Sequence, residues 1–275
     1  MNWASTVAED GYVVVPGAVP AAMCQAVLDA IAAELGISVD DPATWDRVSS
    51  EIDQIPMWGH QSQWDIRQLP QLHRIWADIW GRDALWVDLN SCRFTPSWRP
   101  GRADRLPIHW DVDPWDDQVQ WYPGVVALTD AGPGEGGFRC VPPLVHDREA
   151  WPNSWTDQGP NGYSYEPDVK SREIVEVPLR VGDLIVMDSK LPHGTVRNLT
   201  SRPRVAFYLQ YFPAGTPDQA AERVADFEAG RCPSFWRWKP GHDRLESRPP
   251  ATLNEHGRRL LGAEPWGTPG QVTER

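Results

Sequence analysis

At 275 residues, with 41% hydrophobic and 23% charged positions, the chain is long enough to bury a substantial core and has an ordinary globular balance. Its formal net charge of −12 argues against a nucleic-acid backbone as the main partner, because that role needs clustered Lys and Arg. No segment approaches 18 consecutive apolar residues, and MNWASTVAEDG carries neither a basic region nor a hydrophobic run, so no membrane span or secretory leader is expected and a cytoplasmic location is.

YVVVP at 12–16 predicts a short strand. Residues 20–35 predict a helix, with Met23, Val27, Ile31 and Leu35 recurring on one face, and residues 69–80 predict a second through Leu72, Ile75, Trp76 and Ile79. The stretch between them, which contains WGHQSQWD, reads as loop-rich. Beyond Trp80 the texture changes to short apolar runs punctuated by Gly, Pro and Asp: ALWVDL at 84–89, RLPIHWD at 105–111, WYPGVVALT at 121–129 and GGFRCVP at 136–142. IVEVPL at 174–179, DLIVMD at 183–188, HGTVRN at 193–198 and RVAFYLQYF at 204–212 continue the pattern. Many short strands separated by turn signals read as an all-β sandwich or barrel, with no dinucleotide fingerprint. VGDL at 181–184 reads as a tight turn entering a strand. The polar stretch at 147–168 is an insertion that serves equally as a surface loop or an active-site lid. A short helix is expected at 219–228, followed by an irregular C-terminal extension. Cys24, Cys92, Cys140 and Cys232 are widely spaced without a CxxC pair, as expected of reduced thiols.

The chemistry concentrates in three residues. If 108–112 is extended, period-two geometry turns His109 and Asp111 to one side. His193 supplies a second imidazole. Two His and one carboxylate occupy one face of an octahedral ion and leave positions open, the ligand set of non-haem Fe(II) oxygenases. A Zn hydrolase can use the same three ligand types, and a chance HxD in a non-catalytic binding protein is a further alternative. Arg204, eleven residues after His193 on the next apolar run, is suited to hold the far carboxylate of a dicarboxylate cosubstrate in a paired salt bridge. Thr129 and Thr195 are candidate hydroxyl donors to the same molecule. Arg93, Trp98, Gln120, Trp121 and Phe138 are candidate substrate contacts, each with an ordinary packing role as its rival. Asp188 is a candidate for orienting His193.

The segments HWD at 109–111, VVALTDAGPGEGGFRCVPPLVH at 125–146 and VGDLIVMDSKLPHGTVRNLTSRPRVAFYLQY at 181–211 resemble the phytanoyl-CoA dioxygenase family of Fe(II)/2-oxoglutarate-dependent oxygenases. The resemblance covers residues 84–212 well and YVVVPGAVP more loosely. It implies a mainly β, double-stranded β-helix (jelly-roll, cupin-like) with N-terminal helices packed on the major sheet. It further implies one oxygenase domain over 1–275, with a core at 84–212, N-terminal support at 1–83 and a C-terminal extension at 213–275. By the same resemblance His109, Asp111 and His193 hold Fe(II), and Arg204 holds 2-oxoglutarate. The implied reaction consumes dioxygen and hydroxylates a small-molecule substrate, with succinate and carbon dioxide released. The chain departs from the family's PGSH ending: Pro143 and Leu144 stand where Gly and Ser are usual, and His146 is displaced by one position. Related halogenases replace the metal carboxylate with a small residue, whereas Asp111 is retained here, so hydroxylation is the expected outcome. Neither the substrate nor the oligomeric state follows from the sequence.

Overall fold

The computed structural model describes residues 2–48, 55–99, 107–147, 173–234, 237, 245–246 and 248–267. Its helices are α1 (Trp3–Asp10), α2 (Ala21–Leu35), α3 (Gln61–Arg67), α4 (Pro70–Trp80), α5 (Pro217–Glu228) and α6 (Glu255–Leu261). Its strands are β1 (Tyr12–Val15), β2 (Leu85–Val87), β3 (Cys92–Thr95), β4 (Gly124–Ala127), β5 (Phe138–Cys140), β6 (Val175–Val177), β7 (Leu184–Met187), β8 (His193–Thr195), β9 (Arg204–Leu209) and β10 (Tyr211–Pro213). Every strand is short, so helical residues outnumber strand residues among those described. The expectation of a mainly β chain is therefore corrected to a mixed one, in which antiparallel sheets accompany N-terminal helices. By compactness the chain forms two units, Met1–Ile55 with Asn90–Gln210, and Pro56–Leu89 with Tyr211–Arg275.

The first unit contains both larger sheets. Five antiparallel strands are ordered β1-β7-β4-β9-β3, and three more are ordered β6-β5-β8. Period-two alternation assigns their faces. Val125, Ala127, Ile185, Met187 and Ala206 from the five-stranded sheet enter one core cluster with Phe138, Cys140 and Val177 from the three-stranded sheet. This cluster draws on both sheets, and the residues that share its faces point toward it.

Helix α1 begins where the Asn2 side chain accepts from the Ser5 N–H at 2.9 Å and ends at Gly11, whose φ of +79° closes the last turn. Within α2 the buried residues are Cys24, Val27, Leu28 and Ile31. Met23 and Leu35, expected on that face, are only half-buried, which turns the stripe slightly around the helix. The VGDL turn forms as expected. Gly182 has φ +86°, and a Cβ there would lie 2.2 Å from the Val19 carbonyl oxygen, so only glycine fits.

The second unit pairs β2 with β10 and holds α3 to α6. Residues 204–212, expected as one strand, break after Leu209, and Tyr211 opens β10 in the other unit. Arg67 is fully buried there and donates to the Trp58 carbonyl and to Gln63 Oε1, both at 3.0 Å. The Tyr211 hydroxyl donates to the Arg67 carbonyl at 2.5 Å. No described helix is long and apolar enough to cross a membrane. No disulfide joins the four cysteines, all of which are buried.

Candidate metal centre

His109 and His193 are brought together by backbone hydrogen bonds. The His109 N–H donates to the His193 carbonyl at 2.8 Å, and the His193 N–H returns the bond at 2.9 Å. Such a doubly bonded antiparallel pair turns both side chains to one face. The two ring centroids lie 4.7 Å apart. The expected strand over 108–112 is reduced to a bridge at 109–110 followed by a bend at 111–112. Trp110 points the opposite way into the core, and its indole N–H donates to the Lys190 carbonyl at 2.8 Å. The bend still delivers Asp111. Its Oδ1 lies 3.3 Å from His109 Nε2 and its Oδ2 lies 3.6 Å from His193 Nε2. One ligand atom from each residue falls within 4.8 Å of the others.

Both imidazoles are held through their other nitrogen. His109 Nδ1 lies 2.9 Å from the Pro107 carbonyl and His193 Nδ1 lies 3.0 Å from the Leu191 carbonyl. A carbonyl only accepts, so each Nδ1 carries the proton, and in the neutral ring each Nε2 presents a lone pair. Burial pulls the His193 pKa down and His109 adds to that, outweighing the pull of Asp111 in the other direction. Burial opposes ionisation of Asp111, but His193 and His109 overcome it and hold the carboxyl below the usual carboxylate range. With both rings neutral, the two Nε2 lone pairs and the Asp111 carboxylate face one another as three acceptors. A divalent cation satisfies all three, and the donor set of two nitrogens and one oxygen fits Fe(II).

Arg204 opens β9 with 4% of its surface exposed. Its Nη1 lies 3.3 Å from the Tyr208 hydroxyl, and among the described residues no carboxylate pairs with it. Tyr208 was not anticipated, although its position four residues along the strand from Arg204 places it on the same face. Gly136, in the glycine-rich turn, has φ +79°, and a Cβ there would lie 3.2 Å from the Cβ of Arg204. Glycine thus lets this turn pass close to the arginine.

The other anticipated residues divide into two groups. Phe138 is buried and stacks on the His193 ring, with centroids 5.7 Å apart and planes 19° apart. Thr195 is two residues beyond His193 and pairs with Phe138, so it shares their face. Arg93 pairs with Ala206 and faces inward from β3. The Thr129 hydroxyl instead donates to the Pro203 carbonyl at 3.2 Å and accepts from the Val205 N–H at 2.9 Å, clamping the chain on both sides of Arg204. Gln120 donates to Asp188 Oδ2 at 3.1 Å, and Trp121 is 47% exposed. Trp98 is half-buried with the Arg197 guanidinium 4.5 Å from its ring centre. Asp188 does not orient His193, whose Nδ1 is taken by Leu191. It accepts from Gln120 and from the Lys190 N–H. The lid candidate falls, apart from Asp147, outside the described residues.

The family model described as phytanoyl-CoA dioxygenase matches residues 7–206, which include all three metal-facing side chains and Arg204. The chain belongs to the phytanoyl-CoA dioxygenase family. A Dictyostelium discoideum protein bearing the provisional name phytanoyl-CoA dioxygenase is 22% identical over 223 residues, and the match spans 64% of this chain and 64% of that relative. The crystal structure of the epimerase SnoN in complex with Fe3+, alpha ketoglutarate and nogalamycin RO superposes with a TM-score of 0.59 at 18% identity, covering 92% of this chain and 94% of SnoN. EvdO2 from Micromonospora carbonacea var. aurantiaca gives a TM-score of 0.58 at 17% identity, over 77% of this chain and 90% of EvdO2. At these identities the likeness establishes the fold. Within this family fold, His109, Asp111 and His193 form a 2-His-1-carboxylate facial triad.

Proposed function

We propose that the protein is an Fe(II)/2-oxoglutarate-dependent dioxygenase that hydroxylates an unactivated C–H bond of a small-molecule metabolite, releasing succinate and carbon dioxide. The observation that carries this reading is the convergence of two imidazoles and one carboxylate within 4.8 Å, in a chain of this family. Bound iron would supply the activation of dioxygen at the expense of the 2-oxo acid. The protein's part is placement. The Pro107 and Leu191 carbonyls fix the tautomer and aim of the two imidazoles. Arg204 offers a buried guanidinium to the far carboxylate of the cosubstrate, and the clamp of Thr129 on Pro203 and Val205 sets where that arginine leaves the strand. Phe138 covers one face of His193 and keeps water from it.

The two sheets of the first unit are read as the walls of a double-stranded β-helix. The core cluster drawn from both of them and the likeness to SnoN support this. Every residue given a role lies within Asn90–Gln210. Solved structures of this fold include an epimerase, a carbocyclase and a monooxygenase, so the outcome of the reaction depends on which substrate bond is held toward the metal. The pairing of Thr195 with Phe138, on the face that carries His193, supports reading Thr195 as part of that region's wall.

The test is to supply Fe(II), dioxygen and 2-oxoglutarate to the purified chain and to Asp111→Ala, and to measure succinate. Formation by the first and not the second supports the reading. Hydrolytic activity with Zn(II), independent of any 2-oxo acid, would replace it with the hydrolase alternative.

A further inference from the structure

Among the described residues, two arginines on the same face of one sheet of the first unit have no acidic partner. In the register of β3 and β9, Arg93 pairs with Ala206 and Thr95 pairs with Arg204. Directly paired residues and those two positions along share a face, so Arg93, Thr95, Arg204, Ala206 and Tyr208 all look inward. Ala206 confirms the direction, since it belongs to the core cluster between the sheets. Arg93 and Arg204 are thus diagonal neighbours, a relation that spans about 7–8 Å between backbones and lies within reach of long side chains.

Arg204 runs along β9 toward Tyr208, with Nη1 3.3 Å from its hydroxyl. The side chain therefore runs past Ala206, whose small methyl group adds little bulk on that face, and Ala206 pairs with Arg93. Arg93 is half-buried, and its side chain has no hydrogen bond, ion pair or ring contact among the described residues. The chain carries 38 Asp and Glu against 26 Lys and Arg, yet among the described residues no carboxylate forms an ion pair with either guanidinium. Three arginines of the second unit differ. Arg67 reaches a carbonyl and an amide oxygen, Arg223 reaches two carbonyls, and Arg237 reaches Asp226 and a carbonyl.

We propose that Arg93 is a second anchor, beside Arg204, for the far carboxylate of the 2-oxo acid cosubstrate. The proposal rests on the oxygenase reading and adds a residue to it. A carboxylate has lone pairs enough on its two oxygens for two guanidiniums, and its charge relieves their mutual repulsion. A 2-oxo acid without a far carboxylate leaves both cations uncompensated, so the pair also selects for a dicarboxylate. The competing occupant is a carboxylate on the primary substrate. An arginine on an edge strand can also be merely solvated.

The experiment titrates the full Fe(II)-loaded chain anaerobically with 2-oxoglutarate and, separately, with 2-oxobutyrate, which keeps the chelating end and lacks the far carboxylate. The readout is the visible metal-to-ligand charge-transfer band, so turnover is not needed. In Arg93→Gln the dissociation constant for 2-oxoglutarate should rise about tenfold, the scale of one lost charged hydrogen bond, while that for 2-oxobutyrate holds or falls. Arg93→Lys keeps the charge without the fork and should recover part of the loss. If Arg93→Gln does not fold by circular dichroism, the Lys variant carries the test through the same ratio of the two acids. An unchanged constant for 2-oxoglutarate overturns the proposal and assigns Arg93 to the substrate side or to solvent. An equal loss for both acids also overturns it, because it signals a damaged pocket. Absence of the band in the unmodified chain overturns the oxygenase reading itself, a distinguishable failure.

Discussion

Two buried arginines, one in each unit, are treated in opposite ways. In the second unit Arg67 is wholly buried and its two terminal nitrogens donate to the Trp58 carbonyl and Gln63, with the Trp64 ring 5.4 Å from its guanidinium carbon. Arg223 in the same unit donates to the Val87 and Leu261 carbonyls, and burial draws its pKa down to about 10 although Asp88 acts against that. In the first unit Arg204 is nearly as buried, yet among the described residues its guanidinium meets only a phenol, at 3.3 Å. A buried charge left without compensation is costly, and a chain can retain one where a ligand completes it. Burial alone therefore does not identify a functional arginine; the state of its acceptors does.

Substitutions can break this contrast. The largest effect is expected at the triad. His193→Ala should abolish succinate formation and weaken metal binding by more than the roughly 10–100-fold typical of changes behind a ligand, with the fold retained by circular dichroism. Arg204→Met comes next: it should raise the 2-oxoglutarate concentration needed by about 10–100-fold while leaving denaturant stability unchanged or improved, since an unpaired buried charge is removed. Arg67→Met should do the reverse. It leaves two acceptors unmatched and should cost about 3 kcal/mol in urea unfolding. Equal stability losses at Arg204 and Arg67 would collapse the distinction.

The smallest effect concerns pH. His256 packs edge-on against His73 at 4.9 Å, and burial, then His73 and Arg259, lower its pKa to about 4. The unfolded chain takes this proton near 6.5, so the contribution is complete above that pH and is lost as pH falls toward 4. Unfolding midpoints should decline over that window, and His256→Gln should flatten the decline.

Much of the first unit is legible in the sequence because its strands carry β-branched runs bounded by turn residues, and because the ligands are polar residues set into those runs. The parts not legible are those where local pattern and tertiary context part company. α3 is seven residues long and starts from His60, whose ring accepts from the Ser62 N–H in place of a more usual capping residue. α1 carries readable signals, Asn2 before it and Gly11 after it, but too little apolar periodicity to stand out. The break between β9 and β10 has no Gly or Pro to mark it. At the site, spacing brings His109 and Asp111 together correctly, although a bend rather than a full strand does so. Thr129 and Gln120 have the right chemistry for ligand contacts, and only their observed partners show backbone and Asp188 claiming them.

The most direct test of the account is an anaerobic titration of the purified chain with Fe(II), alone and then with 2-oxoglutarate, followed by visible absorption. A charge-transfer band that requires both additions and is lost in His193→Ala is the predicted result. A folded, iron-loaded chain that shows no such band would contradict the assignment of His109, Asp111 and His193 as an oxygenase centre.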